Sequence, residues 1–364
     1  VSLQSRALPS LLVKAATHQQ PNTESESMPN LNDLKKQVQE EETQAFDPAT
    51  GETVPATLVE EKTSHAVKPI AQSVWDEIVS AGDNIPNKMI FCGLIGPEGV
   101  GKTGIVLDSM TDEEKKRGDV IFVLDFDGGG MTTRVTHHRK HAKNIRCLNP
   151  NVMFETLDED GEAREAIDYP ATHRRVMKIG QTLVDWAARP GEKPRLHSVL
   201  ITAVDLWDEV AKNCMFIEDL GTAPDGIGAK VEPHLQVGMR FNWQIRTTRF
   251  HQLTTIARTL MSLGVAVYFE THFKDLQDKT GSVIGKKPSW EKHTANYLNQ
   301  ILYFHKKKVR GEDGSQTGET RYEVEFVKCK TNADLLDQRR TIMVTKKDEP
   351  LQWFGLPEIR EGDM

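Results

Sequence analysis

The sequence predicts an α/β fold, with a mostly parallel central sheet flanked by helices and an antiparallel β extension towards the C-terminus. Three observations predict it. From about residue 72, short apolar runs alternate with helical patterns, the mark of βαβ units. One of those runs feeds a glycine-rich turn that opens a helix, Met89-Ile90-Phe91-Cys92-Gly93-Leu94-Ile95 before Gly96. A late segment, Arg321-Tyr322-Glu323-Val324-Glu325-Phe326-Val327, alternates polar and apolar residues as an edge-type antiparallel strand does.

The 364 residues hold one large domain or two smaller ones at ~100–200 residues each. Their 38% apolar content is lean, so a packed core does not extend over the whole length. Residues 1–70 account for this: they carry ten acidic and six basic side chains, with Phe46 their only aromatic residue. Such a stretch is expected to be a disordered acidic tail, with Leu31 to Glu42 a short helix suited to a protein partner. Met28-Pro29-Asn30 is a more ordinary chain opening than Val1. The expected division is therefore 1–70 tail, 71–340 core domain and 341–364 C-terminal extension.

Composition removes several classes of function. With 46 Lys and Arg against 53 Asp and Glu the net charge is −7, which excludes a uniformly basic nucleic-acid coat but allows a local basic groove. Cys92, Cys147, Cys214 and Cys329 share no close spacing, so neither a disulfide framework nor a CxxC-type zinc site is expected, and a reducing cytoplasm fits. No apolar run approaches the ~20 residues of a membrane span, and a soluble protein is expected.

The first strand, Lys88 to Ile95, runs into Gly96-Pro97-Glu98-Gly99-Val100-Gly101-Lys102-Thr103, a full G-x-x-x-x-G-K-[ST] match. The helical Gly104 to Met110 follows. Glycines let backbone N–H groups converge on phosphate oxygens without a Cβ in the way. The lysine reaches the β- and γ-phosphates, and the threonine hydroxyl takes a place on Mg²⁺. The motif specifies a nucleoside triphosphate, ATP in the simplest case.

Hydrolysis needs an acid near the metal and a group that orients water. The strand Val120-Ile121-Phe122-Val123-Leu124 runs into Asp125-Phe126-Asp127. A second, Ser198 to Val204, runs into Asp205, which is either a Mg²⁺-linked carboxylate or the cap of the helix after it. Further strands are expected at Gly264 to Phe269, ending in Glu270-Thr271-His272, and at Asn299 to His305, with a long helix from Met239 to Leu263.

This order of parts resembles the RecA-type recombinase core over residues 85–332, and in particular the compact versions encoded by bacteriophages. The resemblance implies a RecA-like P-loop fold working as a ring or filament in the host cytoplasm. It places Asp127 where the family has its water-orienting glutamate, one methylene short. Asp205 matches the Mg²⁺-linked aspartate and His272 the sensor of the γ-phosphate. Lys328 and Lys330 resemble paired lysines that enter the neighbouring subunit's ATP site. Two loops would line a DNA channel. The first is Gly221 to Lys230. The second, after His272, carries Lys274, Lys279, Lys286 and Lys287 for single-stranded DNA, with Trp290 as an aromatic for base stacking.

The basic run Arg134 to Arg146 reads as a nucleic-acid or interface patch, or as a solvated face. The expected function is a DNA-stimulated ATP hydrolase that binds single-stranded DNA in recombination, annealing or replication. Alternatives are a ring-shaped translocase (helicase or genome-packaging motor), a small-molecule kinase, and an ATP-gated assembly protein without turnover.

Overall fold

The computed structural model describes residues 89–157, 162–189, 191, 194–219, 233–277, 281–310 and 315–364, with two short strands nearer the N-terminus. The chain divides into two compact units, Val1–Ile78 and Val79–Met364. In the first, Gln44–Phe46 pairs antiparallel with Thr53–Pro55. The remainder of the tail expected over residues 1–70 lies outside the described residues, as does the loop Gly221 to Lys230.

The second unit begins its described part with β1 (Phe91–Ile95), α1 (Lys102–Leu107), α2 (Asp112–Arg117), β2 (Val120–Leu124), α3 (Gly129–His137) and β3 (Ile145–Leu148). A hairpin of β4 (Met153–Leu157) and β5 (Ala163–Ile167) leads to α4 (Tyr169–Ala187), β6 (Leu196–Ile201) and α5 (Val204–Cys214). Then come α6 (Pro233–Ser262), β7 (Ala266–Thr271), a hairpin of β8 (Phe273–Gln277) and β9 (Val283–Pro288), and α7 (Thr294–Tyr297). The chain ends with β10 (Gln300–Arg310), β11 (Gln316–Cys329), β12 (Arg339–Thr345), β13 (Gln352–Trp353) and α8 (Pro357–Glu361).

Nine strands form one sheet in the order β13-β12-β11-β10-β1-β7-β6-β2-β3. From β10 to β3 every neighbour is parallel. From β10 through β11 and β12 to β13 every neighbour is antiparallel. The mixed α/β fold is thus the expected one, a mostly parallel core with an antiparallel C-terminal extension. The central strands are buried along their length and mostly apolar because both faces are covered. Cys92 and Leu94 of β1 join the cluster that packs on α1, whereas Phe91 and Ile95 point to the cluster under α4, α5 and α6. Phe91 meets Phe269 of β7 edge to face at 4.9 Å.

Several local expectations are corrected. Residues 321–327 do not form an edge strand: β11 lies between β10 and β12, and its apolar residues Tyr322, Val324 and Phe326 are buried. The extension expected from residue 341 begins inside β12, which is part of the main sheet. The strand before Asp205 stops at Ile201, because Ala203 takes a left-handed conformation (φ 45°) that turns the chain into α5. Asp205 therefore sits in the first helical turn, and its side chain makes no cap. The long helix starts earlier than Met239 and ends at Ser262, just before Gly264 at φ 80°. No described helix is long and apolar enough to cross a membrane.

Candidate nucleotide site

The turn between β1 and α1 leaves the sheet at the carboxyl end of its parallel strands. Gly99 (φ 68°) and Gly101 (φ 94°) both occupy the left-handed region, where a side chain is strained. This backbone leads the loop into α1, whose first N–H groups have no partner within the helix. Lys102 is buried, and its Nζ donates to the carbonyls of Gly96 (2.9 Å) and Pro97 (2.7 Å). The ammonium so placed closes the loop upon itself and stands where phosphate oxygens would enter.

Beneath it lies a residue that sequence reasoning gave no role. The Glu270 carboxylate, at the end of β7, accepts the Thr103 hydroxyl at 2.8 Å and lies 3.6 Å from Lys102 Nζ. β7 adjoins β1 with Glu270 opposite Leu94, which sets the carboxylate directly under the phosphate loop. Burial pushes the Glu270 carboxyl up, against the pull of Lys102, and pushes the Lys102 ammonium down. The available sequence signal was an acid closing an otherwise apolar, fully buried strand.

The two acids after β2 separate into distinct jobs. Asp125 is buried, and its two oxygens accept the backbone N–H groups of Gly130 (3.0 Å) and Met131 (2.8 Å), which fixes the start of α3. Asp127 is exposed and lines the cavity in front of the loop. Its Oδ1 accepts Gly129 N–H at 3.1 Å and the Thr202 hydroxyl at 3.0 Å. Asp127 is therefore the acid of this pair open to a substrate. Asp205 faces neither Lys102 nor Thr103 at hydrogen-bond range in the described contacts. It accepts Thr271 Oγ1 at 3.4 Å and lies 3.6 Å from His272 Nδ1. That carboxylate raises the pKa of His272, outweighing the opposing effect of burial. His272 lines the same cavity.

The cavity measures about 1110 Å³, roomier than the ~300–1,000 Å³ usual for one small ligand. One wall is α3 with the basic run after it, from His137 to His141. That run is broken between α3 and a 3₁₀ turn (Arg139–Asn144), so His137 and His141 do not share a helix face. Another part of the lining comes from the antiparallel extension, through Met343, Leu351 and Trp353. Trp353 Nε1 donates to Asp108 Oδ2 at 3.3 Å, and Arg360 of α8 pairs with the same carboxylate at the end of α1. The C-terminal segment is thereby tied to the phosphate-loop helix.

The donor set suits a nucleotide with its metal. A hard dication takes oxygen ligands, and Mg²⁺ is typically held by one or two protein oxygens plus phosphates and water. Thr103 Oγ1 and a neighbouring carboxylate supply that. Among the described residues no cluster of three or more His, Cys, Asp or Glu would hold a metal unaided.

The remaining expected residues fall elsewhere. The segment after His272 is a hairpin, with Lys274 opposite Lys287 and Asp275 opposite Lys286. Adjacent strand residues face opposite ways, so Lys286 and Lys287 do not share a face. Lys279 lies outside the described residues. Trp290 is buried (5% exposed) in the core cluster with Leu298, so its ring is not open to a base. Lys328 and Lys330 flank Cys329, which pairs with Gln300, itself opposite Cys92 on β1. They lie towards the opposite end of the strands from this chain's own phosphate loop. Lys328 Nζ donates to Ala295 O at 2.6 Å, and Lys330 is exposed.

No protein-family model and no curated protein matches the chain. Among solved structures, the crystal structure of the RadB recombinase is similar at 12% identity and a TM-score of 0.34, over 73% of this chain and 91% of its own. A KaiC-like protein from the hyperthermophilic archaeon Pyrococcus horikoshii OT3 is similar at 10% identity and a TM-score of 0.36, over 70% of this chain and 85% of its own. Likeness of that degree carries no argument about residues or activity, which rest on the chain's own geometry.

Proposed function

We propose that the chain is a RecA-type ATPase that hydrolyses ATP with Mg²⁺ and binds single-stranded DNA, as a ring or filament of identical subunits, in recombination, annealing or replication of the phage type. One observation carries the reading. A complete phosphate loop has its lysine and threonine on a buried carboxylate, and an open acid, Asp127, lines the same cavity.

Lys102 leaves the Gly96 and Pro97 carbonyls for the β/γ-phosphates, where its charge is worth most as charge develops in transfer. Thr103 Oγ1 and a neighbouring carboxylate would hold Mg²⁺, which would supply positive charge against the charge that develops in transfer. Asp127, held by Gly129 N–H and Thr202, orients the attacking water and accepts its proton. His272, kept protonated more readily by Asp205, faces the terminal phosphate. The basic hairpin supports the DNA part of the reading, with Lys274 and Lys287 exposed on one face.

The test is an ATPase assay with and without single-stranded DNA. Turnover with Mg²⁺, stimulated by the strand, is expected, and Lys102→Ala should lower it about a hundredfold or more. A folded Lys102→Ala protein with near-normal turnover would remove the foundation. Turnover indifferent to DNA would leave an ATPase of another class, and sustained unwinding would make it a translocase.

A further inference from the structure

The sheet end beneath the phosphate loop offers two positions for a carboxylate. On β6 the position just past the last strand residue is Thr202, a neutral hydroxyl already shared between Asp125 Oδ1 (3.2 Å) and Asp127 Oδ1 (3.0 Å). Asp205, three residues on, is turned to Thr271 and His272. On β7, which lies between β6 and β1 and pairs Phe269 with Ile201, the residue level with Thr202 is Glu270. Its oxygens meet the two side chains that a nucleotide and its metal would use, Thr103 at 2.8 Å and Lys102 at 3.6 Å. We propose that Glu270, and not Asp205, is the carboxylate linked to the nucleotide's divalent cation, and that Asp205 is a positioning residue for His272. The proposal rests on the nucleotide reading above.

Electrostatics gives it a sharp consequence. Glu270 is buried (7% exposed), and a buried carboxylate is tolerated only when paired. Its partners are Lys102 and Thr103. A triphosphate competes for both and brings its own negative charge close to the carboxylate. Without a divalent cation, Glu270 therefore opposes nucleotide binding. With one between carboxylate and phosphates, it favours binding. The residue acts as the source of coupling between cation and nucleotide, and that coupling is measurable with no turnover at all.

Direct binding of a non-hydrolysable ATP analogue to the full chain, by calorimetry in Mg²⁺ and in EDTA, separates the assignments. The wild-type protein should bind about tenfold or more tightly with Mg²⁺, within the usual range of such couplings. Glu270→Gln keeps an acceptor for Thr103 but removes the charge. It should bind the analogue more tightly than wild type in EDTA and gain less than about threefold from Mg²⁺. Asp205→Asn should keep the wild-type Mg²⁺ increment. If Asp205→Asn loses the increment while Glu270→Gln keeps it, the proposal is overturned and the nucleotide reading stands. If the wild-type protein binds no analogue in either buffer, both fall. Should Glu270→Gln not yield folded protein by thermal melting, Asp205→Asn alone decides, since loss of its increment contradicts the assignment and retention supports it.

Discussion

The indole of Trp353 leaves no room for a β-carbon on Gly104. One built there would lie 2.9 Å from Cη2, inside any normal contact, and the ring is held by Asp108 on its other side. The antiparallel extension thus reaches the phosphate-loop helix through a specific fit between a glycine of α1 and an aromatic residue near the C-terminus. Gly104→Ala should destabilise by about 1–3 kcal/mol, as overpacking does, despite alanine's better helix propensity. Pairing it with Trp353→Leu should recover part of that loss, a non-additivity expected only of residues in contact. Urea denaturation of the four proteins measures it. Strict additivity would show that the two residues do not press on each other.

Local motifs were legible and long-range partnerships were not. The phosphate loop is contiguous, so Lys102 and Thr103 could be placed from the sequence with their chemistry. The partner of Thr103 is 167 residues away, and no periodicity reports which of Glu270, Asp205 and Asp127 turns towards it. The parallel strands were visible because strands buried on both faces read as apolar runs. β11 reads as an edge strand in sequence but has a neighbour on each side, because alternation reports which face is buried and not how many neighbours a strand has. Trp290 stands among lysines in the sequence, but its neighbours in space are core residues. α4 escapes a reading by strand patterns, although Asp168 before Tyr169-Pro170 is a helix-start signal, and Asp168 does accept Ala171 N–H at 2.9 Å.

Acid should weaken the fold through His173. Its ring stacks on Trp207 with centroids 5.1 Å apart, and Nε2 has no hydrogen-bond partner among the described residues. Burial lowers its pKa, with Arg249 and Arg174 adding to the shift, and Glu218 and the Gln252 side chain opposing it. The sign follows from linkage. Above the unfolded-state pKa of about 6.5 both states carry neutral imidazole, and His173 imposes no penalty. As pH falls through that value the unfolded chain takes up the proton first, so stability drops until the folded-state pKa is reached. His173→Phe keeps a stacking ring and cannot titrate. Between pH 8 and pH 5.5 its urea midpoint should fall less than that of the wild type. Parallel decline in the two proteins would clear His173 of the effect.

The hairpin register sharpens the nucleic-acid test. Lys274 and Lys287 are cross-strand partners on one face, whereas Lys286 lies opposite Asp275 on the other. Replacing Lys274 and Lys287 together by Ala should weaken single-strand binding and make its salt dependence shallower, by about 0.7 in slope per lost phosphate contact. Lys286→Ala should change the slope less than either of them. Fluorescence anisotropy of a labelled oligonucleotide across a salt series reads both quantities. An unchanged slope in the double variant would move the contact elsewhere, with the basic run from Arg134 to Arg146 the next surface to probe.

Lys328 and Lys330 make the last prediction, which separates stability from assembly. Lys328 is committed within its own chain: burial lowers its pKa, and its ammonium donates to Ala295 O at 2.6 Å. Lys328→Ala should cost about 1.5–3 kcal/mol of stability, the range for a hydrogen bond from a charged group. Lys330 is exposed and should be nearly silent in the same measurement. Both lie away from their own phosphate loop, so in the proposed ring or filament Lys330 would act on a neighbouring subunit's site. On that reading Lys330→Ala should bind nucleotide normally yet turn it over slowly, because a charge supplied in trans matters most in the transition state. Mixing Lys330→Ala with Lys102→Ala then provides a decisive complementation. Each protein lacks what the other has, and mixed boundaries can join an intact phosphate loop to an intact Lys330. ATPase activity in the mixture above the sum of the two proteins alone would put Lys330 across the boundary. A Lys330→Ala protein that hydrolyses ATP at the wild-type rate would leave Lys328-Cys329-Lys330 as a charged strand end with one structural lysine.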